Sequence, residues 1–156
     1  MKTDFEFVYG NWTVHNRKLR DTLDDECDEW IEFDARSEVG AILDGWGHID
    51  RMYVPASDDQ EQFEGFTLRL FDPTANVWRI WWSATGAPGI LDTPVEGTFA
   101  DGRGTFESRD VLGGRPAHVR FEWITENPAS PVWQQSFSFD DGVTWRRNWV
   151  MTFDRA

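Results

Sequence analysis

A single cysteine, Cys27, leaves this chain of 156 residues without the material for an internal disulfide framework. Stability must come from a packed core, and such sparing cysteine usage suits a reducing compartment. Long apolar runs are missing too: no stretch approaches the length needed to span a bilayer. Met1-Lys2-Thr3-Asp4-Phe5 also lacks the apolar segment of a secretory leader, and the expected location is cytoplasmic. Basic residues are scarce, 15 against 28 acidic ones, for a formal net charge of -13. That sign repels phosphate backbones and anionic lipids, which argues against nucleic-acid and membrane partners. The three histidines, His15, His48 and His118, stand far apart with none of the short spacings of zinc ligands, so no metal is expected. Gly-x-Ser-x-Gly elbows, P-loops and dinucleotide fingerprints are absent, and no cofactor is expected. Cys27 lies among acidic residues, a setting unsuited to a thiolate nucleophile.

Aromatic surface is abundant, with 10 Trp and 12 Phe. Such rings suit a sheet that must pack or line a cavity. Trp30 to Glu38 alternates Ile31, Phe33 and Ala35 with Glu32, Asp34 and Arg36, the period of a half-buried strand. Ala41-Ile42-Leu43 falls in a connection, and Gly45-Trp46-Gly47 leads into a strand ending near Val54. From Phe66 onward, short strands alternate with turn signals: Asp72-Pro73, Asp101-Gly102 and Gly113-Gly114. Arg20 to Asp28, Pro55 to Gln62 and Gly86 to Pro94 read as loops, and Thr144 to Phe153 as the last strand. The result is one all-β domain over residues 1–156, an antiparallel meander of about ten strands with a short helical turn at the N-terminus. With no helix to cover a face, a closed barrel is favoured over a sandwich.

Gly10-Asn11-Trp12 on the first strand of such a meander is similar to the Gly-x-Trp signature of lipocalins. Arg147, between Trp145 and Trp149 on the closing strand, resembles the Arg that lipocalin-type barrels lay across that Trp. Trp12-Thr13-Val14-His15-Asn16-Arg17, Leu68-Arg69-Leu70-Phe71-Asp72-Pro73 and Asn148-Trp149-Val150-Met151 together resemble a bacterial family of uncharacterised calycin-like barrels, the DUF1579-like group. The resemblance covers most of the chain and implies a fold rather than an activity. No helix follows the last strand, so fatty-acid-binding-like and nitrobindin-like barrels are equally good analogues. Haem of the nitrobindin type would require an axial His near the C-terminus, and none lies beyond His118. Ser138 to Trp145 fits the Asp-box pattern S-x-D-x-G-x-T-W of sialidase-type propellers; a single copy reads as a hairpin device rather than a glycosidase.

If apolar faces turn inward, the informative residues are the polar ones that share those faces. By alternation these are Asn16, His48, Asp50, Gln135 and Arg147, expected to converge on a lumen walled by Trp78, Trp82, Trp123 and Trp149. Arg147 has a second reading, stacked on Trp12 at the barrel floor. His48 and Asp50 are either a satisfied or solvent-facing pair or a catalytic acid–base pair. His15 and Arg17 fall outside unless a bulge breaks the register; His118, Arg120 and Glu122 belong to an outer face. Three functions are open. The first is a barrel holding one largely apolar ligand, aromatic or polyketide-like. The second is a cofactor-independent isomerase, cyclase or lyase using the same lumen. The third is an interaction module whose core the indoles fill. A homodimer is compatible with each.

Overall fold

Strand β1 (Gly10–Leu19) bonds to β2 (Trp30–Ile42) on one side and to β10 (Arg146–Arg155) on the other, so the two ends of the chain seal the sheet. The computed structural model describes residues 1–156. Between these strands run β3 (Gly47–Val54), β4 (Phe63–Asp72), β5 (Val77–Ala84), β6 (Val95–Ala100), β7 (Arg103–Leu112), β8 (Arg115–Ile124) and β9 (Val132–Ser138). Each pairs antiparallel with its neighbours, giving the closed ten-stranded meander that the alternation and turn signals lead one to expect. Closure removes the two free edges that an open sheet would present for intermolecular pairing. No helix is long and apolar enough to cross a membrane. Two boundaries differ from expectation: β2 continues through Ala41 and Ile42, paired with His48 and Gly47, and the last strand runs over Arg146–Arg155 rather than from Thr144 to Phe153.

The chain enters by folding into the barrel. A 3-10 turn, Glu6–Val8, carries Phe5 and Val8 into one end, where they are 0% and 1% exposed. Phe5 stands edge-on to Trp78 and Phe99, with centroids 5.0 and 4.9 Å away. Trp12, Trp78 and Phe106 complete this plug, each almost fully buried. Burial contributes about 1.5–3 kcal/mol for each large apolar side chain, so this end is firmly shut.

The Gly-x-Trp stretch works as a latch. The Trp12 indole donates to the Val8 carbonyl at 2.7 Å, tying the plug to β1. The guanidinium over its ring belongs to Arg155, with Cζ 3.8 Å from the centroid, and it also donates to the carbonyls of Tyr9 and Phe7. Gly10 is required at this point. Its φ is +110°, and a Cβ would lie 2.7 Å from the Arg155 Nη1. The expectation that Arg147 fills this role is corrected. Arg147 is exposed on the outside of β10 and reaches only Gln134.

A bulge causes that error. Arg147 faces Ser136 and Trp149 faces Gln135, so Asn148 is the extra residue on β10. The bulge moves Arg147 off the face of Trp149, and the period-two count from Trp149 back to Arg147 fails by one. The Ser138–Trp145 connection above it forms the expected hairpin device. Asp140 accepts from the Thr144 amide at 2.8 Å and from the Ser138 hydroxyl at 2.8 Å, and the Trp145 indole donates to the Gly142 carbonyl. The Thr144 hydroxyl also donates to this carboxylate, and together with the Thr144 amide and the Ser138 hydroxyl it holds the Asp140 carboxyl down at a pKa of about 2.

Candidate functional site

Beyond the plug the barrel is hollow. A cavity of about 220 Å³ is walled by the indoles of Trp82, Trp123, Trp133 and Trp149 together with Ile80, Phe121, Met151 and Phe153. An apolar cavity of about 150 Å³ accommodates benzene, so this one suits a molecule of one or two rings. Its walls are held in place. The Trp149 indole donates to Asn16 Oδ1 at 2.9 Å, and the Trp133 and Trp149 rings meet edge-on at 5.5 Å. Lys18 lays its ammonium 4.2 Å from the Trp149 centroid, and burial pushes its pKa down.

Polar groups enter this apolar space from three neighbouring strands. Asp50 on β3 accepts from the Ser37 hydroxyl of β2 at 2.6 Å and from the Arg69 guanidinium of β4 at 3.2 Å. All three side chains are buried and all three line the cavity. The pair satisfies the rule that a buried charge needs a counter-charge. Arg69 is only partly satisfied, since Nε and Nη1 are buried and have no hydrogen-bond partner in the protein. Its guanidinium lies over the rings of Phe5 and Trp123, at 5.1 and 5.7 Å. Across the lumen Gln135 contributes an amide fixed to Asn148, the bulged residue, by a 2.9 Å bond.

The expected site residues divide as follows. Asp50, Trp82, Trp123, Gln135 and Trp149 line the cavity. Asn16 is fully buried behind it and holds the Trp149 ring. Trp78 is not a wall but part of the plug, packed against Phe5 and hydrogen-bonded to Asp4. His48 also points inward, but it sits in the plug among Phe5, Tyr9 and Trp78 rather than in the cavity lining. Burial and the nearby Arg69 charge push its pKa down to about 3, so it is neutral at physiological pH. The two residues do not bond to one another, because Asp50 is engaged by Ser37 and Arg69. Trp46 precedes the strand that carries His48 and Asp50 and stacks on Phe71. His15 is exposed and bonded to Asp34 and Glu32, and His118 to Asp141, so both histidines belong to the outer surface.

Sequence reasoning missed Ser37, Thr67, Arg69 and Trp133 as lining residues. On β4 the assumption of apolar faces turned inward is inverted: Gly65, Thr67 and Arg69 point in, while Phe66, Leu68 and Leu70 lie half-buried outside. A signal was present, because Asp50 and Arg69 are opposite charges that the meander brings to adjacent strands. The β3–β4 register that would have joined them could not be read.

The wall has one thin place. β6 pairs with β5 only from Trp78↔Gly97 to Ile80↔Val95. Beyond it, Trp81 to Ala84 faces the connection 85–94, held there by the Asp92 amide donating to the Trp82 carbonyl at 2.8 Å. Asp92 borders the cavity, and burial together with the Asp110 charge pushes its carboxyl pKa up. The closed ten-stranded antiparallel barrel is consistent with a calycin-like fold. No protein-family model matches the chain, and no curated protein is similar to it in sequence.

Proposed function

We propose that the protein is a binding barrel that encloses one small, largely apolar molecule, aromatic or polyketide-like in shape. The observation carrying this reading is the cavity of about 220 Å³ lined by four indoles and a small set of fixed polar groups. That combination of apolar walls with sparse, placed hydrogen-bonding groups is what small-molecule sites require. On the motifs of its first, fourth and last strands we also group the chain with the uncharacterised calycin-like barrels.

Binding is favoured over proton-transfer catalysis by the state of the two candidate groups. His48 is neutral and sits in the plug outside the cavity lining, and the oxygens of Asp50 are taken up by Ser37 and Arg69. A general base must reach the proton it removes. Packing through the whole length of the barrel, as an interaction module would have, is disfavoured by the hollow beyond the plug.

Intrinsic tryptophan fluorescence titrated with a naphthalene-based probe tests the reading. Saturable quenching at one probe per chain is expected, with loss of most of the signal in Trp149→Ala. A flat titration at probe concentrations up to solubility would overturn it.

A further inference from the structure

We infer that the ligand carries a neutral hydrogen-bond acceptor, an oxygen of the ketone or quinone type, and that this oxygen docks on Arg69. The inference rests on the binding reading above and narrows it to a chemical class.

Arg69 is 3% exposed and borders the cavity, with Nε and Nη1 lacking a partner in the protein. Leaving a buried donor unpaired is costly, and more so when the group is charged. A ligand acceptor recovers that energy, whereas a hydrocarbon of the same shape does not. The site therefore discriminates by what it would leave unsatisfied.

The acceptor is neutral because the charge is already balanced. Asp50 lies 3.2 Å from the guanidinium, so the pair carries no net charge. A ligand carboxylate would add a second anion beside the buried Asp50, and repulsion in a low-dielectric interior is strong. The surroundings act in the same direction: Asp92 borders the cavity, and the whole chain bears a formal charge of -13. A cationic ligand is disfavoured by Arg69 itself. The unpaired groups of the guanidinium are donors only, which fixes the ligand's complementary group as an acceptor.

Four probes of one shape separate these alternatives by titration calorimetry: 2-ethylnaphthalene, 2-acetylnaphthalene, 2-naphthoate and 2-(aminomethyl)naphthalene. Binding of the ketone about tenfold tighter than the hydrocarbon is expected, since a hydrogen bond to a charged group is worth at least one decade in affinity. Naphthoate and the amine are expected to bind more weakly than the ketone. Asp50→Asn removes the balancing charge, and the preference should then invert toward naphthoate. Equal affinity for ketone and hydrocarbon would overturn the Arg69 inference while leaving the binding barrel intact. Tightest binding of naphthoate or of the amine by the unmodified protein would overturn it in favour of an ion site. No heat from any of the four would remove the binding reading itself, and this inference with it. The probe order in the unmodified protein decides the matter even if Asp50→Asn fails to fold.

Discussion

At the scale of single residues, two arginines on the last strand offer the sharpest contrast. Arg155 stacks on Trp12 and donates to two carbonyls of the entering chain, while Arg147 points into solvent beside Gln134. Arg155→Ala is expected to cost about 1–2 kcal/mol in urea unfolding, from the lost stacking and charge-assisted bonds. Arg147→Ala should stay within about 0.5 kcal/mol of the parent. His48 supplies a pH dependence whose direction follows from its depressed pKa. The unfolded chain binds a proton near pH 6.5, while the native state resists it until about 3. Stability from this residue is complete above pH 6.5 and is lost as pH falls toward 3. Between pH 6.5 and 5 the loss is on the order of 2 kcal/mol, and unfolding curves of His48→Met should lack it. His15 works in the opposite sense. Its pKa is raised by hydrogen bonds to Asp34 and Glu32, so its contribution is present at low pH and fades as pH rises through the raised value.

Among the elements, β4 and β5 show how a backbone detail governs the cavity. Gly65 on β4 faces Ala84, and the Trp82 ring lies over it; a Cβ there would stand 2.1 Å from Trp82 Cη2. Gly65→Ala must therefore displace a cavity wall. A drop in naphthalene-probe affinity of about tenfold, with about 1–3 kcal/mol of lost stability, is expected from overpacking at this position. Gly40→Ala has open space around its Cβ and serves as the control, with both quantities unchanged. The same elements explain what sequence could and could not convey. The strand spacing, hairpin turns and Gly10-x-Trp12 motif were legible because each is a local pattern, whereas the Arg155 that closes over Trp12 is distant in sequence. The faces of β4 and β10 were not, because one strand carries its polar residues inward to answer Asp50 and the other contains a bulge at Asn148. Both depend on neighbours distant in sequence. The cavity walls Trp82, Trp123 and Trp149 followed from composition and alternation, whereas Trp78 was drawn into the plug by Phe5, whose position inside the barrel no local pattern encodes.

For the whole molecule, the consequence lies in how evenly the cylinder is stitched. Nine of its ten seams run along most of the shorter strand's length, but β5 and β6 share only the register from Trp78↔Gly97 to Ile80↔Val95. Native-state hydrogen exchange should find the amides of residues 85–94 exchanging faster than those of the strands, with Asp92, bonded to the Trp82 carbonyl, the slower among them, and those of β1 and β10 slowest, because opening is cheapest where few ladder bonds must break. On the proposed binding reading, such a cylinder need not melt to exchange a guest: the short seam is three residue pairs long, and weakening it should shorten the guest's dwell time while the other nine seams keep the fold's global stability.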